Sequence, residues 1–438
     1  MNKWSNTMKW RKCNLAVVLL FVLFYVTSGF AQPLPTTSPE EVGLSSERLG
    51  RINKVMQQYV DEKLIPGSVT LVARHGKVVH HEAIGLMDIE KKKPMQKDTI
   101  FRLASMTKPI TCLAVMMLYE EGHFLLSDPI SKFIPEFKNP KVFVPSSSGE
   151  SYELVPAKSE ITIRQLLTHT SGITYGFWDP AEIKKIFKQA GIFDENNIDL
   201  LLNKTLGDLV RKLPNVPLLN HPGEEFIYGF STDVLGFMVE IISGMTLKAF
   251  FHERILQPLG MIDTYYYVPV EKKSRFMPLY GPNENGGLHL FDDPWVSPYS
   301  SYYGGGSLLC STTSDYARFL QMILNGGELN GVRLVSRKTI ELMTMNSIKD
   351  LYIKIPGDPM RAKSGDKSGF GLYIRTERGQ HDELESIGTL ADGGAYYTYF
   401  FIDPKEDMFG VFMTQLLPND HLDLWRKFRI LVEQAIVD

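Results

Sequence analysis

Strand-like runs stand at both ends of this 438-residue chain and are scarce between them, and that placement constrains the fold more than any other feature. Residues 67–74 and 77–84 form two β-prone runs around His75-Gly76, which predicts a hairpin. Far downstream, residues 370–376, 395–403 and 408–415 are again aromatic and β-branched, the last two joined by the turn sequence Pro404-Lys405-Glu406-Asp407. Helical stripes accompany them. Leu49, Ile52, Val55, Met56 and Tyr59 repeat at helical spacing, Ile110, Leu113, Ala114, Met117 and Leu118 do so from Ser105 to a stop at Gly122, and residues 421–436 predict a closing amphipathic helix. The middle is richer in helical patterns and in long Pro- and Gly-containing connections at 139–156 and 280–287. The predicted class is therefore α+β, an α/β sandwich: one antiparallel sheet built from both chain ends and flanked by helices. The α/β part is expected at about 38–110 and 300–438, with a mainly α-helical insertion at about 111–299.

The extreme N-terminus reads differently. Lys3, Lys9, Arg11 and Lys12 precede an apolar run from Leu15 to Val26, followed by Thr27-Ser28-Gly29-Phe30-Ala31. That is the layout of a signal peptide over residues 1–31, with cleavage expected after Ala31 and residues 32–438 as the working domain. The run is short of the roughly 20 apolar residues of a membrane-spanning helix, so stable membrane insertion is not expected and the product is expected to be periplasmic or secreted. Cleavage removes four basic residues, taking the balance from 47 minus 50 to 43 minus 50, or −7. Nothing in this favours nucleic acid. Of three cysteines, Cys13 leaves with the leader, and Cys112 and Cys310 are expected as small core residues. His80-His81-Glu82 lies in an alternating run without metal-ligand spacing, so neither a metal nor another cofactor is predicted.

The chemistry is concentrated in Ser105-Met106-Thr107-Lys108. At the start of a helix, positions three apart share a face, which puts an amine within reach of a hydroxyl that is a poor nucleophile unaided. Pro109 suits a first turn, whose amides would face the serine and could stabilise an oxyanion. Alone, such a spacing is also met in exposed helix starts with a solvated lysine.

Other segments, in order, decide between these readings: Ile163-Arg164-Gln165-Leu166-Leu167-Thr168-His169-Thr170-Ser171-Gly172, then His221-Pro222-Gly223-Glu224-Glu225-Phe226-Ile227-Tyr228, then Gly304-Gly305-Gly306, Asp315-Tyr316-Ala317-Arg318-Phe319 and Asp392-Gly393-Gly394. Together they resemble the serine β-lactamase-like superfamily over about residues 38–435, in particular class C β-lactamases and family VIII carboxylesterases. The resemblance implies a β-lactamase/transpeptidase-like fold with Ser105 as the nucleophile of an acyl-enzyme, Lys108 as its proton partner and Tyr228 as the proton shuttle to the leaving group. It also implies an oxyanion hole from the amides of Ser105 and Ala395, and a structural role for His169.

Two departures bear on substrate, which the resemblance places against Phe230, Asp392, Gly393 and Gly394. Where β-lactamases carry an asparagine two positions after the tyrosine, this chain has Phe230. Where they carry a lysine before the Thr-Gly of the third motif, it has Asp392, which would repel a substrate carboxylate by about 1 to 4 kcal/mol at contact unless an arginine such as Arg375 pairs with it. A small-molecule acyl ester, uncharged or bearing an amine, is the expected substrate of an exported carboxylesterase-like serine hydrolase. A D-amino-acid peptidase or amidase, a weak β-lactamase, and a non-catalytic penicillin-binding-like module remain as alternatives.

Overall fold

The computed structural model describes residues 33–438 apart from 147–150, 193–203, 285, 292–300, 354, 356–364 and 377–383; the expected leader at 1–31 lies outside the described residues. One helix, α1 (Ser46–Asp61), is capped by the Ser45 side chain, which accepts from the Arg48 amide. It leads into β1 (Gly67–Arg74) and β2 (Lys77–Asp88), the expected hairpin, and a short β3 (Lys93–Pro94). After the buried helix α2 (Lys108–Glu120), α3 (Ser231–Ser243) forms the centre of the helical part. The chain returns through α4 (Thr313–Leu324) to β4 (Lys367–Ser368), β5 (Tyr373–Ile374), β6 (Leu390–Gly394), β7 (Thr398–Asp403) and β8 (Met408–Met413), and closes with α5 (Leu424–Glu433).

These eight strands form one antiparallel sheet in the order β4-β5-β6-β7-β8-β1-β2-β3, and the two chain ends meet where Val69 to Arg74 pair with Met413 to Met408. Strands β1, β7 and β8 are buried along their whole length because helices cover both faces. Alternation along β7 sorts its rings accordingly. Phe400 meets Tyr316 of α4 at 5.3 Å, while Tyr399 and Phe401 turn the other way to Trp425 and Phe428 of α5 at 4.9 and 6.3 Å. Each ring so buried contributes about 1.5–3 kcal/mol.

Three expectations need correction. The connections at 139–156 and 280–287 contain hairpins, Lys141–Pro145 with Tyr152–Pro156 and Tyr280–Pro282 with Leu288–Leu290, whose strands are too short to leave a clear alternation. The run at 370–376 keeps only β5, because Gly371 adopts φ +76° and tucks the chain under α2, where a Cβ would fall 2.9 Å from Cys112 Sγ. Ala395 does not begin a strand: Gly394 to Thr398 is a turn with Tyr397 at φ +67°, and the third motif itself forms β6. Cys112 and Cys310 are both buried, and neither forms a disulfide among the described residues.

Candidate active site

Ser105 does not begin an α-helix as its spacing suggested. Residues Ala104–Thr107 form a 3₁₀ turn that becomes α2 at Lys108. Pro109 is the cause: it has no N–H to give the Ser105 carbonyl four residues back, so that carbonyl takes the Lys108 amide three residues on. In a 3₁₀ turn side chains three apart eclipse, which sets Lys108 directly over Ser105. Lys108 Nζ donates to Ser105 Oγ at 3.0 Å, and Tyr228 Oη donates to the same oxygen at 2.8 Å.

The turn is strained and clamped. Ala104 sits at φ +46°, a left-handed conformation costing about 1–2 kcal/mol for a residue with a Cβ. The Leu103 amide donates to Leu309 O at 2.8 Å, Leu103 O accepts from Thr398 Oγ1 at 3.2 Å, and Tyr316 Oη holds Met106 O at 2.9 Å. Gly394 at the end of β6 lies against the same turn, where a Cβ would fall 2.1 Å from Leu103 O, so only glycine lets this strand approach. That approach brings Ala395 to the wall beside Ser105. The Met106 amide is already used by Leu103 O, leaving less of the first turn for an oxyanion than the sequence suggested.

Lys108 is 4% exposed, and its charge is held by neutral acceptors and rings. Besides Ser105 it donates to Gly306 O at 2.8 Å and lies 4.8 Å from the centre of the Tyr228 ring. The three glycines let that loop reach the lysine: a Cβ on Gly305 would meet Thr232 O at 2.3 Å. Asp233 completes the support, accepting from Tyr302 Oη at 3.1 Å and from the Gly306 amide at 3.3 Å. Burial raises its carboxyl against the pull of Lys108.

Tyr228 is delivered by the segment before α3. The Ile227 amide donates to His169 O at 2.7 Å, and a Cβ on Gly229 would fall 2.2 Å from Ile173 O. The His169 ring packs 4.9 Å from Tyr228, and burial lowers its pKa to about 3, which holds it neutral behind the tyrosine.

Ser105, Lys108, Tyr228, Phe230, Asp392, Gly393, Gly394 and Ala395 all line one cleft of about 610 Å³. Phe230 is 4% exposed and meets Tyr175 edge-on at 4.6 Å. Asp392 shares the sheet face of Phe400, its carboxylate accepts from the Gly393 amide at 2.8 Å, and its charge adds to the burial that pushes the Cys112 thiol up to about 12. Arg375, the partner considered for it, is engaged by Asp366 at 2.7 Å and by Glu385. Sequence reasoning assigned no role to Tyr175, Phe177, Trp178 or Tyr302, which also line the cleft. Asp233 carried a signal, being an acid in the first turn of a largely apolar helical run, but its partners are distant in sequence. Among the described residues no group of three or more His, Cys, Asp or Glu is placed to hold a metal, and no single helix is long and apolar enough to cross a membrane.

This geometry has relatives. The family model described as Beta-lactamase matches residues 52–433. An uncharacterised protein of Mycobacterium tuberculosis is 33% identical over 375 residues, 84% of this chain and 90% of its own length. Esterase EstB of Burkholderia gladioli is 34% identical over 289 residues, 62% of this chain and 69% of its own. Among solved structures, EstCE1, a hydrolase with promiscuous acyltransferase activity, is 26% identical with a TM-score of 0.73, over 90% of this chain and 99% of that one. This chain belongs to the β-lactamase family and is one of its serine hydrolases.

Proposed function

We propose that this protein is an exported esterase that cleaves small, uncharged acyl esters through an acyl-enzyme on Ser105. The observation that carries the reading is the convergence of Lys108 Nζ and Tyr228 Oη on a single serine oxygen in a cleft walled by aromatic rings. For Ser105 to attack an ester carbonyl its proton must leave, and these are the two groups within reach. Lys108 is buried and spends one donor on Gly306 O; Tyr228 is only partly buried and reaches into the cleft. Tyr228, as a phenolate beside the Lys108 ammonium, is thus the group that takes the Ser105 proton as the serine attacks and hands it on to the departing alcohol. The oxyanion would face the amides of Ser105 and Ala395, each such donor being worth about 100- to 1000-fold in turnover. Water then repeats the sequence in reverse to release the acid.

Phe230 and Asp392 bear on the substrate. Phe230 offers no amide to an acylamino side chain, and Asp392 puts an acid where a β-lactam or a D-alanine terminus would bring a carboxylate. EstB, named an esterase, supports the ester reading. Acyl transfer to an alcohol is a second reading: aromatic walls favour an apolar acceptor over water, and EstCE1 is described as having that activity as a side reaction. The leader at 1–31 carries the proposal of export. Assaying the mature protein and Ser105→Ala on p-nitrophenyl butyrate and a chromogenic cephalosporin tests the reading. We expect ester turnover that vanishes with the serine and little cephalosporin turnover; dominant cephalosporinase activity, or ester turnover surviving in the variant, would overturn it.

A further inference from the structure

Beyond Tyr175 the cleft wall ends in two aromatic side chains that core packing does not explain. Phe177 and Trp178 are 41% and 49% exposed, yet both line the cleft. They are arranged, not scattered. Phe177 stacks on Tyr175 at 5.9 Å and 24°, and Trp178 stands edge-on to both, 6.4 Å from Tyr175 and 6.0 Å from Phe177. Their loop is pinned from below by Asp179, which accepts from Thr174 Oγ1 at 2.7 Å and from the Gly176 amide at 2.9 Å, with Gly176 at φ +84°. Large rings held half in water beside a nucleophile mark a surface that something apolar covers.

Position identifies which part of a substrate that is. Tyr175 joins the pair to the chemistry, meeting the Tyr228 ring edge-on at 5.5 Å. In the tetrahedral intermediate the carbonyl oxygen points to the Ala395 wall, so the leaving oxygen points to Tyr228, its proton donor. The group attached to that oxygen runs outward along the wall that Tyr175, Phe177 and Trp178 continue. Among the described residues that line the cleft, Lys108, Asp233 and Asp392 are buried and the exposed charge is the acid Asp420, so no exposed cation is offered to an anionic leaving group. We infer that Phe177 and Trp178 form a subsite for the alcohol portion of the ester, and that the substrates it selects are uncharged esters of aryl or similarly planar apolar alcohols. This inference rests on the ester-hydrolase reading above and adds the leaving-group class to it.

The test compares naphthylmethyl butyrate, methyl butyrate and methyl naphthylacetate, with the ring on the alcohol side, absent, or on the acyl side. In the Phe177→Ala/Trp178→Ala double variant the ratio of kcat/KM for naphthylmethyl butyrate over methyl butyrate should fall by about 10-fold, chiefly through KM, as the loss of two ring contacts implies. An unchanged ratio, or a larger fall for methyl naphthylacetate, would overturn the assignment. Calorimetric titration of the wild type and the variant with naphthylmethanol reads the subsite without turnover: binding weakened in the variant supports it, and equal affinity refutes it even if the protein hydrolyses no ester. Trp178→Leu, which keeps apolar bulk, guards against misfolding and should show a smaller fall of the same sign.

Discussion

Two buried charge clusters lie on either side of the sheet, and they differ in what is left for a ligand. Behind the sheet, Glu385 is clamped between Arg375 and Arg429, with Arg429 Nη1 at 2.5 Å from it and 3.0 Å from Tyr399 Oη. Acid and guanidinium groups there are in direct contact, burial pushes the Glu385 carboxyl up to about 8 against the pull of Arg375, and the cluster ties β7 to α5. At the cleft, Lys108 bonds to a hydroxyl and a carbonyl, while Asp233 feels its charge from the other side of Gly306, whose amide it accepts. That leaves the lysine a positive charge aimed at Ser105. Burial alone does not mark a functional ion; the identity of its hydrogen-bond partners does.

Removing one cation from each cluster should have opposite consequences. Lys108→Met should reduce ester turnover by at least about 1000-fold while the protein still folds, because Asp233 can take up a proton once its cationic neighbour is gone. Arg429→Met should do the reverse, lowering unfolding free energy by on the order of 3 kcal/mol because Glu385 loses one of its two guanidinium partners. Paired kinetics and denaturant melts read both. Equal stability losses, or activity surviving in Lys108→Met, would erase the distinction.

Much of this was legible in sequence, for reasons that differ by residue. Both chain ends announced the sheet because β1, β7 and β8 are rich in β-branched and aromatic residues, and Ser105, Lys108, Tyr228 and Phe230 could be singled out because they sit in contiguous segments whose order is itself informative. What stayed hidden depends on approach between distant segments. The 3₁₀ turn follows from a single missing amide at Pro109. Asp233 acquires its role only when Gly305 and Gly306 arrive some 70 residues later in the chain. Phe177 and Trp178 read as loop aromatics until the fold turns them toward the nucleophile.

Buried groups that stay neutral respond to pH. Burial lowers His80 and His81 to about 4 and His169 to about 3, against about 6.5 in an unfolded chain. The folded chain therefore binds fewer protons than the unfolded one between those values. This stability is fully present above about pH 6.5 and is lost as pH falls towards 4, at up to about 1.4 kcal/mol per pH unit for each buried histidine. Urea melts across that range should show a decline that His80→Gln makes shallower. A slope unchanged by that substitution would contradict a neutral, buried His80.

In the proposed mechanism Ser105 is the one activated nucleophile of this cleft. Treating the native protein with a fluorophosphonate and mapping the modified peptide by mass spectrometry tests this. A single covalent adduct on Ser105 is expected, formed far more slowly in Lys108→Met. An adduct on Tyr228 or on another serine, or none on the folded protein, would contradict it.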